Sequence, residues 1–277
     1  MTIQEIIRLA LNEDIGVGDH TSLATIPQGK KAKARLLAKE QGVICGIGYA
    51  RDIFREFDPE ITFRPLLSDG SKINPGDVVF TVEGNAISLL SCERLVLNIL
   101  QRLSGIATHT HNLCKLIDGY PARLLDTRKT TPLLREMEKY AVKTGGGENH
   151  RFGLYDMIMI KDNHVDYAGG IRPAIRNTRR YLNENNLHLR IEIEVRNFAE
   201  LEEVLSEGGV DRIMLDNFSP QDLEKAVVRI GKQYETEASG GITARNLRDY
   251  AATGVDYISV GALTHQIKSI DLSLKAF

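Results

Sequence analysis

The chain has 277 residues, 42% of them hydrophobic and 26% charged, with a formal net charge of −2. That is ample material for a core, and it suits an α/β barrel with an attached domain better than one small domain. Near-neutrality gives no global attraction to nucleic acid or to an anionic membrane, so any affinity for anions must come from local clusters. Cys45, Cys92 and Cys114 are odd in number and form no C-x-x-C pair, which points to reduced thiols in a cytoplasmic protein and away from disulfides or a zinc site. No run reaches the ~18 apolar residues of a membrane span and Met1 to Ala10 has no long apolar core, so neither a span nor a signal peptide is expected.

Apolar residues at Ile3, Ile6, Ile7, Ala10 and Leu11 have helical spacing. Residues 12–28 read as a polar loop, 32–39 as a strand, and 50–57 as a helix stopped by Asp58-Pro59. Residues 61–67 and 78–82 read as strands around the turn Asn74-Pro75-Gly76-Asp77. A Pro-Gly-Asp turn before an apolar strand also occurs in biotinyl- and lipoyl-carrier domains, but no lysine stands at a hairpin tip here, so plain sheet is expected. A long helix runs from Ala86 to Thr110, with Leu89, Cys92, Val96, Ile99, Leu100 and Leu103 on one face and Gly105 as a point where it ends or bends.

After about residue 115 the rhythm changes. Strands are expected at 122–125, 157–160, 190–195, 212–215, 236–238 and 257–260, and helices at 132–143, 171–183, 198–205, 220–230 and 244–252. Alternating strands and helices at this spacing predict a parallel sheet buried on both faces. Residues 201–215 are echoed by 247–260, each running helix, glycine stop, Val-Asp, strand, which favours a barrel over an open sheet.

Barrel active sites form beyond the C-terminal ends of the strands. There this chain places Asp126-Thr127-Arg128-Lys129, Lys161-Asp162-Asn163-His164, Glu192 and Glu194 with Arg196, Asp216-Asn217, Ser239-Gly240-Gly241, and Gly261-Ala262. Glu192 and Glu194 alternate with Ile191, Ile193 and Val195, so they form either the wet face of an open sheet or charged groups inside a barrel that need partners. Asp216 could share a Mg²⁺ with Glu194 or serve as a helix cap. Ser239-Gly240-Gly241, with Gly261 on the next strand, suits a phosphate held by backbone N–H groups, although alone the tripeptide is also an ordinary turn. Gly145-Gly146-Gly147 lacks the G-K-[ST] of a P-loop. His109 and His111 diverge on a helix and read as structural. Lys161, closing an apolar strand, also allows a Schiff-base aldolase reading, which leaves the nearby Arg128, Lys129, His150 and Arg151 unexplained.

The segments D-T-R-K-T at 126–130, K-T-G-G-G-E-N-H-R at 143–151 and I-K-D-N-H at 160–164 resemble the quinolinate phosphoribosyltransferase family. So do E-R-L-V-L-N-I-L-Q-R-L-S-G-I-A-T at 93–108, L-D-N-F at 215–218, S-G-G-I at 239–242 and V-G-A-L-T-H at 260–265. The resemblance implies an α/β sandwich at residues 1–112 and an open, seven-stranded α/β barrel at 113–277, whose last segment is free to return to the first domain. It implies transfer of phosphoribosyl from 5-phosphoribosyl 1-diphosphate to quinolinate, with decarboxylation. Arg128, His150, Arg151 and Lys161 would then contact quinolinate, and Lys129 the phosphoribosyl diphosphate. Glu194 and Asp216 would act around the ribose and Mg²⁺, and Ser239, Gly240 and Gly261 would hold the 5′-phosphate. Catalysis would fall to Lys129, Lys161, Glu194 and Asp216. Arg94 would reach the partner's site in a head-to-tail homodimer, with a hexamer left open. Arg196 departs from the acidic residue expected after Glu194-Val195, which leaves open whether Glu192 or Glu194 is the ribose-side carboxylate.

Overall fold

The computed structural model describes residues 1–277, which group into two compact units. In chain order, α1 (Ile3–Ile15) opens on a capping box between Thr2 and Glu5, and α2 (His20–Thr25) is capped by Asp19. The stretch read as a polar loop therefore contains the end of one helix and all of another. Then come β1 (Lys31–Ala38), β2 (Gly42–Val43), α3 (Ile47–Phe57), β3 (Thr62–Pro65), β4 (Lys72–Ile73), β5 (Val78–Asn85) and α4 (Ala86–Leu116). Gly105 neither ends nor bends α4 into two helices; a Cβ there would collide with the Lys268 carbonyl. The glycine is a point of close packing, not a stop.

The second half runs β6 (Arg123–Leu125), α5 (Arg135–Thr144), β7 (Ile158–Ile160), α6 (Asp162–Ala168), α7 (Ile171–Glu184), β8 (Ile191–Val195), α8 (Phe198–Glu207) and β9 (Arg212–Asp216). It ends with α9 (Pro220–Ile230), β10 (Glu235–Ser239), α10 (Leu247–Ala251), β11 (Tyr257–Ser259), α11 (Ala262–His265) and β12 (Leu272–Ala276). The sequence reading had no counterpart for α6, α11 or β12. No helix is long and apolar enough to cross a membrane.

One unit comprises Met1–His111, Thr131–Gly146 and Gln266–Phe277. Its antiparallel sheet has the order β12-β1-β5-β3. Leu36, Phe80 and Val82 of the sheet, Ile53 and Phe54 of α3, and Val96 and Leu100 of α4 are buried in one apolar core. Phe54, Phe63 and Phe80 meet within it, the last two with ring centroids 4.5 Å apart.

The other unit comprises Asn112–Thr130 and Gly147–His265 and holds a six-stranded parallel sheet, β6-β11-β10-β9-β8-β7, flanked by helices as in an open α/β barrel. Where seven strands were expected there are six. Beyond β6 stands a single bridge, Leu125 to Glu148, closed by Asp126 N–H to Glu148 O (3.1 Å) and Glu148 N–H to Leu124 O (2.8 Å). Register pairs Glu192 with Arg212, Glu194 and Glu237 with Met214, and Ser239 with Asp216. Because side chains alternate, these residues share the inner face, while Ile193, Ile213 and Leu215 take the opposite one.

Candidate active site

Past the C-terminal end of β6, Asp126 is buried, and its Oδ1 accepts the His150 N–H at 2.8 Å. That bond brings the chain at 149–151 beside Thr127, Arg128 and Lys129. The Thr264 hydroxyl donates to the Lys129 carbonyl at 2.8 Å and fixes the same loop from the end of β11. At the end of β7, Lys161 precedes α6, and its backbone N–H donates to His164 Nδ1 at 2.9 Å. His164 thus caps the helix that follows Lys161.

These loops enclose a cavity of about 240 Å³ lined by Thr127, Arg128, Lys129, His150, Arg151, Met159, Lys161, Met214, Glu237, Ser239 and Ser259. Five basic residues from the sequence reading therefore converge on one space, which Ser239 also lines. Burial first, and the like charge of Arg128 second, pull Arg151 below the usual arginine range. Cations crowded in this way are relieved by a bound anion.

The two glutamates of β8 separate. Glu194 accepts from Lys161 Nζ at 3.1 Å near the strand end. Glu192 lies deeper, fully buried, with Oε2 2.9 Å from His150 Nε2. Glu237 Oε2 is 3.3 Å from the same nitrogen and 3.0 Å from Arg212 Nη1. Burial lowers the imidazole pKa, but Glu192 and Glu237 outweigh it and push His150 up to about 9. Glu192 is pushed up to about 7, by burial first and by Glu237 second. Burial also acts to raise Glu237, yet His150 and Arg212 hold it below the ordinary carboxylate value. The Arg151 N–H donates to His150 Nδ1 at 2.7 Å, a bond that only the singly protonated ring accepts; the ring proton is then on Nε2, facing the carboxylates, and the second proton that they favour would cost this bond.

Asp216 is half-buried at the end of β9, and its Oδ2 accepts from Asn217 Nδ2 at 2.6 Å. It lies on the inner face, two residues beyond Met214, the partner of Glu194 in the sheet. Gly240 has φ +95, and a Cβ on it would collide with Asn217 Oδ1, whereas Gly241 has φ +60 and open space around it. Gly261 packs between Lys129 and His265: a Cβ would stand 3.1 Å from Lys129 Cδ and 3.0 Å from His265 Nε2. Arg94 is exposed on α4 of the other unit. Arg196 forks onto Glu200 and Asp166 instead of approaching Glu194. Sequence reading passed over Arg212 and Glu237; the signal was the alternation in Glu235-Thr236-Glu237-Ala238-Ser239, the same pattern that singled out Glu192 and Glu194.

Sequence profiles described as "Quinolinate phosphoribosyl transferase, N-terminal domain" and "Quinolinate phosphoribosyl transferase, C-terminal domain" match residues 19–104 and 106–275. The chain is 45% identical to quinolinate phosphoribosyltransferase [decarboxylating] 1b of Nicotiana tabacum, over 99% of this chain and 82% of that protein. It is 40% identical to a probable nicotinate-nucleotide pyrophosphorylase [carboxylating] of Bacillus subtilis, over 99% and 93%. The solved nicotinate-nucleotide pyrophosphorylase of Francisella tularensis superposes with a TM-score of 0.93 at 40% identity, covering 99% of this chain and 96% of that one. On sequence and architecture, the chain belongs to the quinolinate phosphoribosyltransferase family.

Proposed function

We propose that this chain transfers the phosphoribosyl group of 5-phosphoribosyl 1-diphosphate to quinolinate, releasing diphosphate and CO₂ and giving nicotinate mononucleotide for NAD biosynthesis. The observation that carries the reading is the convergence of Arg128, Lys129, His150, Arg151 and Lys161 on one cavity. Two adjacent carboxylates on a planar ring call for several fixed cations, and a single carboxylate does not. The pyridine nitrogen attacks the anomeric carbon as the bond to diphosphate breaks. The quaternised ring then accepts the electron pair of the C2–carboxylate bond, CO₂ leaves, and C2 takes up one proton. Glu194 stabilises the positive charge that develops on the ribose. Lys129 binds the phosphates from the end of β6, and Ser239, Gly240 and Gly261 surround the 5′-phosphate at the last two strand ends.

Glu194 and Asp216 suit Mg²⁺, being hard oxygen donors on neighbouring strands. When bound, the ion supplies neutralisation of the departing diphosphate. A homodimer in which Arg94 completes the partner's site belongs to the same proposal; the exposure of Arg94 on α4 supports it. A cytoplasmic location is supported by three free cysteines, with burial pushing the Cys45 and Cys92 thiols up to about 12. Against the aldolase reading, Lys161 Nζ is engaged by Glu194 Oε2 at 3.1 Å. Protein mixed with Mg²⁺, quinolinate and phosphoribosyl diphosphate should yield CO₂, diphosphate and nicotinate mononucleotide. Borohydride trapping of Lys161 in place of those products would overturn the reading.

A further inference from the structure

Behind the cavity wall, β8, β9 and β10 carry a connected run of charged groups, buried at Glu192, Arg212 and Glu237, to which the reaction above gives no task. Glu237 is fully buried and lines the cavity. Besides its 3.0 Å contact with Glu237, Arg212 donates through Nε and Nη2 to Glu235 at 3.0 and 2.9 Å. Its guanidinium also stacks over Tyr257, 4.1 Å from the ring centroid. Glu235 in turn accepts from Arg190 at 2.6 Å. The run ends at His150, whose Nε2 faces Glu192 and Glu237 and whose Nδ1 accepts the Arg151 N–H. Both ring nitrogens are therefore turned toward protein groups, although the ring lines the cavity.

His150, Glu192 and Glu237 have the donor types of a metal site, with candidate ligand atoms within 4.8 Å of one another. Arg212 Nη1 already stands 3.0 Å from Glu237 and 3.9 Å from Glu192 and supplies the compensating charge. What the run does instead is hold a backbone. The His150 N–H is tied to Asp126, its Nε2 stands 2.9 and 3.3 Å from the two glutamates, and the next N–H is tied to that imidazole. The Arg151 side chain has only a 3.3 Å bond from Nη1 to the Met157 carbonyl to direct it. A planar guanidinium meets a carboxylate well only in a narrow range of directions, so the base of that side chain must be fixed.

We propose that Glu237 and Arg212 are positioning residues for the aromatic acid: they hold His150, and through its Nδ1 they set the direction from which Arg151 enters the cavity. This rests on the proposed reaction, and its test separates the two. Glu237→Gln should raise KM for quinolinate about tenfold while KM for phosphoribosyl diphosphate and kcat stay within about threefold. Arg212→Lys should do the same, because an ammonium cannot fork onto Glu235 and Glu237 together. In a His150→Gln background, Glu237→Gln should add nothing further to the quinolinate KM. Thermal melts select whichever of the two variants folds, and Glu237→Asp should recover part of the loss. Additive effects of His150→Gln and Glu237→Gln, or equal rises in both KM values, would overturn the positioning role. If wild-type protein fails to turn over quinolinate at all, the proposed reaction falls; if it does turn over and the variants match it, only the positioning role falls.

Discussion

Lys161 Nζ lies 3.1 Å from Glu194 Oε2, joining the ends of β7 and β8 by an ion pair in which the lysine is half-exposed and the glutamate nearly buried. In the proposed reaction these groups serve different substrates, Lys161 the aromatic acid and Glu194 the ribose. Quinolinate must therefore compete with Glu194 for the ammonium. Glu194→Gln should tighten quinolinate binding, by about three- to tenfold on the scale of a partly exposed ion pair. The same change should lower turnover by about a hundredfold or more, since the carboxylate that faces the developing ribose charge is gone. Calorimetric titration with quinolinate alone checks the first effect; weaker binding in the variant would show that the pair assists the acid instead of competing with it.

The glycines at the last two strand ends are predicted to differ sharply in cost. At Gly240 the backbone has φ +95, and an added Cβ would meet Asn217 Oδ1, its Cγ (2.6 Å) and its backbone N (2.9 Å). Gly240→Ala should destabilise the fold by about 2–4 kcal/mol, through strain and overpacking together. At Gly261 the same methyl meets only the ends of two flexible side chains, Lys129 and His265. Gly261→Ala should leave the melting temperature nearly unchanged while raising KM for phosphoribosyl diphosphate several-fold, because Lys129 is displaced. A large drop in melting temperature for Gly261→Ala would place its role in packing.

Much of this was legible in the chain, and the misses share a cause. Ile191-Glu192-Ile193-Glu194-Val195 could be read because a buried parallel strand that turns alternate residues inward leaves a two-residue period. The five basic residues of the cavity could be read because each sits beside an element end, Arg128, Lys129 and Lys161 after strands and His150 and Arg151 in the loop after α5. Arg212 and Glu237 were harder: an arginine opening a strand looks like a surface residue until its partners, 20 and 25 residues away in sequence at Glu192 and Glu237, are seen to share its face. The seventh strand, implied by resemblance, is reduced to the Glu148 bridge, a pairing too short to leave any periodicity. In α2, the polar run His20–Thr25 is helical because Asp19 accepts the Ser22 N–H and hydroxyl and is reached by Ser91, a contact across 72 positions.

If Arg94 acts on the partner's site, two defective chains should repair each other. Lys129→Ala would disable a subunit's own site, and Arg94→Ala would disable its partner's. Mixed and allowed to exchange, the two variants should form heterodimers with one intact site each, restoring about a quarter of wild-type activity. Each variant alone should stay near background. No recovery on mixing, with subunit exchange verified by tagged chains, would place Arg94 in its own subunit's site or outside any site.

The buried cluster at His150 predicts a stability that falls between acidic and neutral pH. Glu192 is raised from its ordinary 4.5 to about 7, so its contribution is complete below 4.5 and is lost as pH rises through 7. The same carboxylates raise His150, but a second ring proton would sit on Nδ1 and cost the bond from the Arg151 N–H, so the extra proton is assigned to Glu192. Glu237 is depressed and has the opposite sign, its contribution vanishing only as acid protonates it below the ordinary value. Denaturant unfolding of wild type compared with Glu192→Gln should therefore converge between pH 4.5 and 7, the difference shrinking by on the order of 1–3 kcal/mol. A difference that stays constant across that interval would mean that Glu192 holds no extra proton in the folded chain.

Gly105 offers a test in the other unit, where helix propensity and packing pull in opposite directions. In the interior of α4, glycine costs about 1 kcal/mol relative to alanine, so propensity alone makes Gly105→Ala stabilising. The chain at 268–270 leaves no room for the methyl: it would collide with the Lys268 carbonyl and lie 3.1 Å from Ser269 Cα, both backbone atoms. That segment is itself pinned to α4, by Ile270 N–H to the Gln101 carbonyl (3.1 Å) and Gln101 Nε2 to the Leu272 carbonyl (3.0 Å), and it leads directly into β12 on the edge of the antiparallel sheet. It cannot yield without loosening β12 from β1. Overpacking of this kind costs about 1–3 kcal/mol or more, so the collision should win and Gly105→Ala should lower the melting temperature by several degrees. Protection of the Leu272–Ala276 amides from hydrogen exchange should fall with it. A rise in melting temperature would mean that the Lys268 backbone can move aside, and that propensity, not close packing, decides the residue at this position.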